Sequence, residues 1–206
     1  MMKFSHIVIV FITFFASASM AVSQTSSGTQ EYGDGGAYEG EFLNGLPHGN
    51  GTYELPNGYR YVGEWFEGEI NGQGEALFPN GSVYIGSFVK GKPEGSGKIT
   101  FTDGGTYEGE WANGSITGEG YAKYANGTTY QGTFLDAMHD GQGIMKSSDG
   151  YTYDGTWENG VKQGKATVTY PDGSIYTGEV SQGHREGSGR LEMPEGLAYE
   201  GTWKAG

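Results

Sequence analysis

Tyrosine recurs every 23 residues through most of this chain, at Tyr38, Tyr61, Tyr84, Tyr107, Tyr130, Tyr153, Tyr176 and Tyr199. A glycine follows two residues after each, at Gly40, Gly63, Gly86, Gly109, Gly132, Gly155, Gly178 and Gly201. An unbroken period of this length specifies an array of small supersecondary units. Each unit buries its surface mainly against its neighbours, so the product is an extended surface rather than a closed pocket.

The alternation within one unit reads as two strands. In Tyr107-Glu108-Gly109-Glu110-Trp111, the tyrosine, glycine and tryptophan share one face and the two glutamates share the other. Asn113-Gly114 and a short polar loop follow, then a second strand, Gly118-Glu119-Gly120-Tyr121-Ala122-Lys123-Tyr124. The unit closes with Asn126-Gly127. The equivalent dipeptides are Asn57-Gly58, Asn80-Gly81, Asp103-Gly104, Asp149-Gly150, Asp172-Gly173 and Glu195-Gly196. Asn-Gly and Asp-Gly are the strongest tight-hairpin signal, because both central residues then adopt positive φ. All six prolines are expected in loops or beside turns, since proline cannot donate to a strand ladder.

The chain has 40 glycines in 206 residues. Their fixed repeat positions mark them as geometric rather than as a sign of disorder. Counting each tyrosine as position 0, glycines at positions 2, 11 and 13 fall on the aromatic face. They are expected to leave room for rings to lie flat on the backbone, at a strand cost of about 0.5–1 kcal/mol each. Position 4 is aromatic in seven of eight units: Phe42, Trp65, Phe88, Trp111, Phe134, Trp157 and Trp203, with Val180 the exception.

The strings YEGEF at Tyr38, YVGEW at Tyr61, YEGEW at Tyr107 and YEGTW at Tyr199 resemble the MORN repeat, as do Gly95-Ser96-Gly97 and Asp103-Gly104 later in a unit. The resemblance covers Tyr38 to Gly206, with units at 38–60, 61–83, 84–106, 107–129, 130–152, 153–175 and 176–198 and a partial one at 199–206. It implies an all-β, elongated, single-layer, twisted antiparallel sheet of tandem hairpins. It also implies a scaffold, membrane-associated module or dimerisation rod rather than a catalyst. The chain departs from the family's frequent His-Gly at positions 10 and 11, where only His48-Gly49 matches. Ala137 and Ala166 each replace a glycine.

Residues 1–21 read as a secretory signal peptide: Lys3, an apolar stretch from Ile7 to Phe15, then small residues with cleavage expected after Ala18 or Ala21. A retained N-terminal anchor is the weaker reading, because serines and His6 dilute the apolar run. Residues 22–37 are expected to be a flexible leader holding a half repeat, since Asp34-Gly35-Gly36-Ala37 mimics Asp103-Gly104-Gly105-Thr106. The product is expected to be exported, periplasmic or secreted. Without cysteine it must be held by sheet hydrogen bonds and aromatic packing rather than by disulfides.

The formal charge of −13 becomes −14 when Lys3 leaves with the signal. That charge opposes nucleic acid and direct binding to anionic lipid. His48, His139 and His184 are expected in loops of different units, too far apart for a triad or a shared metal. No cofactor is called for. Glu39/Glu41 and Glu108/Glu110 share a face about 7 Å apart, a spacing that suits an inverting glycosidase, but they read first as a solvated face. The acidic residues lack the regular spacing of a calcium loop.

The remaining candidate surface is the aromatic stripe, represented by Tyr61, Trp65, Tyr107, Trp111, Tyr153, Trp157, Tyr199 and Trp203. Core packing is its first reading. A glycan- or quaternary-ammonium-binding stripe is its second. Asn80, Asn113 and Asn126 begin Asn-Gly-Ser/Thr sequons, which also read as turn followed by strand. The expected activity is a non-catalytic scaffold for a protein partner or for itself, with edge-to-edge pairing of an open last strand as one route. A carbohydrate- or cell-wall-binding module is the alternative.

Overall fold

A computed structural model describes residues 24–206, so the expected signal peptide lies outside the described residues. Sixteen strands form one antiparallel sheet in strict sequence order. They are β1 (Thr25–Glu31), β2 (Ala37–Leu43), β3 (Leu46–Glu54), β4 (Arg60–Phe66), β5 (Glu69–Leu77), β6 (Val83–Val89), β7 (Lys92–Thr100) and β8 (Thr106–Ala112). Next come β9 (Ser115–Lys123), β10 (Thr129–Leu135), β11 (Met138–Lys146), β12 (Thr152–Glu158), β13 (Val161–Thr169), β14 (Ile175–Ser181), β15 (His184–Glu192) and β16 (Ala198–Trp203). The sheet is open, and among the described residues there is no helix.

The register explains the glycines. Every strand but one contributes a glycine to a single row across the sheet, each the direct partner of the next. The row begins Gly28↔Gly40↔Gly51↔Gly63↔Gly74 and ends Gly178↔Gly189↔Gly201. Ala166 on β13 is the one substitution. The row holds positions 2 and 13 of every unit. A Cβ on Gly109 would lie 2.6 Å from the Cα of Gly120 on the facing strand. A Cβ on Gly120 would strike the Tyr107 ring. The position-0 ring therefore lies flat over this bare backbone.

Tyr38, Tyr61, Tyr84, Tyr107, Tyr130, Tyr153 and Tyr176 are all fully buried or nearly so. Their hydroxyls donate to the carbonyl of the residue three places on, Glu41, Glu64, Ser87, Glu110, Thr133, Thr156 and Glu179, at 2.7–3.1 Å. Each buried phenol is thus satisfied by the strand that carries it, which removes the cost of hiding a hydroxyl. Edge-to-face contacts then link each tyrosine to the position-4 ring of its own unit and of the next, except where Val180 stands at that position beside Tyr153 and Tyr176. Tyr38–Trp65, Tyr61–Phe88, Tyr84–Trp111 and Tyr107–Phe134 have centroids 4.8–5.0 Å apart. Such pairs add about 0.5–1.5 kcal/mol beyond area burial. The core is this zipper on one side of one sheet.

Position 11 departs from expectation. Gly49, Gly72, Gly95, Gly118, Gly141, Gly164 and Gly187 have positive φ between 61° and 115°. Between the paired residues of each hairpin the second strand carries extra residues, Gly164 and Lys165 in the sixth unit, that have no partner within the hairpin, which makes a β-bulge. This glycine is required for its left-handed φ, and a Cβ on Gly49 would meet the Glu41 carboxylate rather than a ring. Glu41 and Glu64 accept the freed amides of Asn50 and Gln73 at 3.2 and 2.7 Å.

The turns are exchanged relative to expectation. The two-residue hairpins with positive φ at both residues are Asn44-Gly45, Glu67-Gly68, Lys90-Gly91, Asn113-Gly114, Asp136-Ala137, Asn159-Gly160 and Gln182-Gly183. The segment expected as a polar loop after Asn113-Gly114 is already strand, β9. The closing dipeptides sit in longer loops in which only the glycine has positive φ. There the Asn or Asp side chain accepts the amide two residues on, as in Asn57→Tyr59, Asn80→Ser82, Asp103→Gly105 and Asp172→Ser174, all at 2.9 Å. Glu195 is too long for this turn and makes no such bond.

Pro47 and Pro93 lie within β3 and β7 instead of in loops. Each is tolerated because its carbonyl serves the ladder, accepting from Gly68 N and Gly114 N of the next turn at 2.8 and 2.9 Å. Residues 25–31 form β1 in place of a flexible leader. Gly28 pairs with Gly40, and Asp34 makes the same turn as its equivalents, so β1 stands as the second strand of a half unit. This strand brings the sheet to sixteen.

The histidines lie in strands, not loops: His48 in β3, His139 in β11 and His184 in β15. His139 is drawn in by aromatic packing. It stacks on Tyr130 at 3.6 Å, meets Trp157 at 4.8 Å, and its Nε2 shares a 2.7 Å hydrogen bond with the Tyr124 hydroxyl. Burial, and secondarily the Lys162 ammonium, push its pKa down to about 4.

Three outcomes are expected. Gly109→Ala forces a methyl into facing backbone and lowers stability by about 3 kcal/mol in denaturant titration. Ala137, held at φ 62°, is relieved by Ala137→Gly, which raises the unfolding midpoint by an amount equivalent to about 1 kcal/mol. For His139 the folded pKa lies below the unfolded one, so its neutral, packed form supports the fold above pH 6.5. That support drains away as pH falls from 6.5 towards 4. Thermal unfolding across this window should steepen with acid in the parent and flatten in His139→Phe; equal slopes would remove this role.

Candidate functional site

Two faces and two edges are available for recognition. On the aromatic face, six of the eight candidate rings, Tyr61, Trp65, Tyr107, Trp111, Tyr153 and Trp157, are buried in the zipper. Burial pushes the Tyr84, Tyr107 and Tyr153 phenols up to about 12, so they stay protonated as donors near neutrality. Trp111 and Trp157 donate to the carbonyls of Gly97 and Gly143 at 3.2 and 3.3 Å. The buried indole nitrogens of Trp65 and Trp203 have no acceptor. Tyr199, on β16, is 51% exposed, and Trp203 is half-buried. The structure thus brings the eight rings into one row but leaves solvent access chiefly at the β16 end.

Position 9 carries groups that the tyrosine-centred pattern did not single out. It is Pro47, Ile70, Pro93 and Ile116 in the first four units and His139, Lys162 and Arg185 in the last three. Lys162 Nζ sits 4.4 Å over the Tyr151 ring and 5.1 Å from that of Tyr153, and donates to the Tyr151 hydroxyl at 3.0 Å. Burial lowers its pKa. The Arg185 guanidinium lies 4.1 Å over Trp203. The available signal was the nine-residue offset from each tyrosine, visible only when the units are aligned.

The opposite face is polar and solvated. At position 1, Glu39, Glu108, Gln131, Asp154, Thr177 and Glu200 alternate with the glycine row, Val62 and Ile85 being the apolar exceptions, and Lys98 pairs with Glu108 at 3.7 Å. Glu41 and Glu64 are engaged by bulge amides, a structural use of carboxylates first read as a solvated face. Depressions of about 460–540 Å³ occur on this face where glycine-row backbone forms the floor. One is lined by Ile85, Ser96, Lys98 and Glu108, and another by Asp154, Lys165, Thr167 and Glu179. Among the described residues no group of three His, Asp or Glu side chains converges as a metal site would require. Of the three sequons, Asn80 and Asn126 have their side-chain oxygens tied into loop turns, and Asn113 occupies a tight hairpin turn.

Against solved structures, the chain is similar to the SAS-4 (dCPAP) TCP domain of Drosophila melanogaster, solved in complex with a proline-rich motif of Ana2 (dSTIL). Identity is 18%, the TM-score is 0.38, and the match covers 64% of this chain and 84% of that one. The TCP10 domain of Danio rerio CPAP, solved with a STIL peptide, is 18% identical with a TM-score of 0.21 over 86% of this chain and all of that one. Virginiamycin B lyase from Staphylococcus aureus is 10% identical with a TM-score of 0.17, covering 88% of this chain and 60% of that chain. A comparison with curated proteins gives no match. The model of the MORN repeat matches residues 38–58, 61–83, 84–106, 107–129, 130–150, 153–175 and 176–197, in step with the hairpins built from Tyr38 onward. With seven repeats matched over most of its length, the chain belongs to the MORN repeat family.

Proposed function

We propose that this protein is a non-catalytic, exported repeat scaffold that binds a protein partner or a second copy of itself. One observation carries the reading: the aromatic side chains are spent in holding the sheet together, and what faces outward is a long, mostly polar surface with two strand edges, β1 and β16, that are unpaired among the described residues. The large depressions are floored by backbone rather than by converging titratable groups, which suits surface recognition more than turnover. Export follows from residues 1–21, with cleavage after Ala18 or Ala21. The charge of −13 disfavours nucleic acid and anionic lipid as partners.

Light scattering on the purified chain, joined to affinity capture from the native compartment, tests the proposal. The expected result is either a defined oligomer or a saturable protein partner. A glycan series monitored by tryptophan fluorescence supplies the opposing arm. Quenching that saturates with a glycan and vanishes in Tyr199→Ala/Trp203→Ala, at the solvent-accessible end of the stripe and with the fold intact, would replace the scaffold with a carbohydrate-binding module. A turnover abolished by Glu108→Gln or Glu110→Gln would replace it with an enzyme.

A further inference from the structure

The polar face is not uniform along the sheet. Between Ala37 and Val89 the chain has seven glutamates and a single basic residue, Arg60. Arg60 is already paired with Glu54 at 2.8 Å. Glu39, Glu41, Glu64, Glu69 and Glu75 are exposed and, among the described residues, have no ion-pair partner.

Large apolar side chains emerge on the same face of the same strands. Leu46 is 50% exposed, Phe66 53%, Ile85 55% and Val89 45%. On β4, Val62, Glu64 and Phe66 alternate with the inward Tyr61, Gly63 and Trp65, so all three point outward. Val62 and Ile85 both pair directly with Glu75, and Phe66 pairs with Glu69. Val62, Phe66 and Ile85 therefore each have a carboxylate beside them, whereas Val89 pairs with Lys92 and Ile85 meets Lys98 on its β7 side. Val62 and Ile85 stand two strands apart, about 10 Å.

Later units do not repeat this. At the position of Val62 and Ile85 they carry Glu108, Gln131, Asp154 and Thr177, and at the position of Phe66 and Val89 they carry Ala112, Leu135, Glu158 and Ser181. The core requires nothing of these outward positions. An exposed apolar cluster rimmed by charge marks an interaction surface, and the unpaired carboxylates of β4 and β5 select its partner by complementarity.

We propose that the outward face of β4–β6 is the docking surface for a basic, amphipathic segment of a partner protein. Its apolar side chains would seat on Val62, Phe66 and Ile85, and its lysines or arginines would pair with Glu64, Glu69 and Glu75. The proposal rests on the protein-binding reading above and names the surface and the chemistry of the partner.

The test uses the full chain and a fluorescent peptide of alternating lysine and leucine, with lysine–serine and glutamine–leucine peptides as controls. Saturable anisotropy is expected for lysine–leucine alone, weakening with salt. Affinity should fall about tenfold or more in Phe66→Ser/Ile85→Ser, and again in Glu69→Gln/Glu75→Gln. Asp154→Asn/Glu158→Gln, on the later units, should leave it unchanged. Circular dichroism and thermal melts of each variant separate lost binding from lost fold.

Equal affinity for lysine–serine would reduce the effect to charge alone, and undiminished binding by Phe66→Ser/Ile85→Ser would place the site elsewhere; either overturns the proposal. A parent oligomer that dissociates in Phe66→Ser/Ile85→Ser would make a second copy the occupant and overturn it likewise. Should a partner captured from the native compartment bind the Phe66→Ser/Ile85→Ser variant undiminished, this surface fails while the scaffold reading stands.

Discussion

The close approach of a tyrosine ring to glycine backbone is the constraint on which the architecture depends. A one-layer sheet has no second layer to cover its apolar side, so ordinary side chains standing upright would remain half in water. Here the ring lies down. It can do so because positions 2 and 13 present bare Cα atoms in direct register, row upon row across the strands. Lying down also brings the phenol within reach of a carbonyl on its own strand, so burial of the hydroxyl costs little. The entropy lost by each strand glycine is offset by a fully buried ring and two edge-to-face contacts.

Ala166 shows how narrow the tolerance is. It is the one methyl in the glycine row, and the position-2 partner it faces, Gly155, leaves it space. The Tyr153 hydroxyl still reaches the carbonyls of Thr156 and Gln163, at 2.8 and 3.2 Å. Val180 is the corresponding exception among the rings. It interrupts the aromatic zipper between Tyr153 and Trp203 without interrupting the strand pairing. Backbone register therefore persists where side-chain regularity lapses, as expected for hydrogen bonding shared along a ladder.

The repeat period, strand alternation and ring-on-glycine packing were legible in the sequence because each rests on spacing alone. The turns were not, because Asn-Gly occurs at both ends of a unit and its two uses look alike as letters. Asn113-Gly114 bends both residues to positive φ, whereas Asn126 folds its side chain onto Thr128 N and only Gly127 turns. The bulge was hidden for a related reason: Gly49 and Gly51 look equivalent, but only the former has positive φ. The aromatic stripe was correctly located, while the cationic run of Lys162 and Arg185 above it needed the three-dimensional neighbours to be seen. His139 was misplaced because its partners, Tyr124 and Trp157, come from different units.

The hairpin turns give the array a direction. From the second unit onward, the amide of the second turn residue donates to the position-9 carbonyl of the preceding unit, as Gly68 to Pro47, Ala137 to Ile116, Gly160 to His139 and Gly183 to Lys162. The residue before it is held by the position-10 side chain of that same preceding unit, as Asn113 by Glu94 and Asn159 by Asp140. Both ties run one way, from the later turn to the earlier strand. Each later hairpin is therefore tied back onto the unit before it, so that the two ends of the ribbon are inequivalent: one presents acceptors already laid down for a further turn, the other does not.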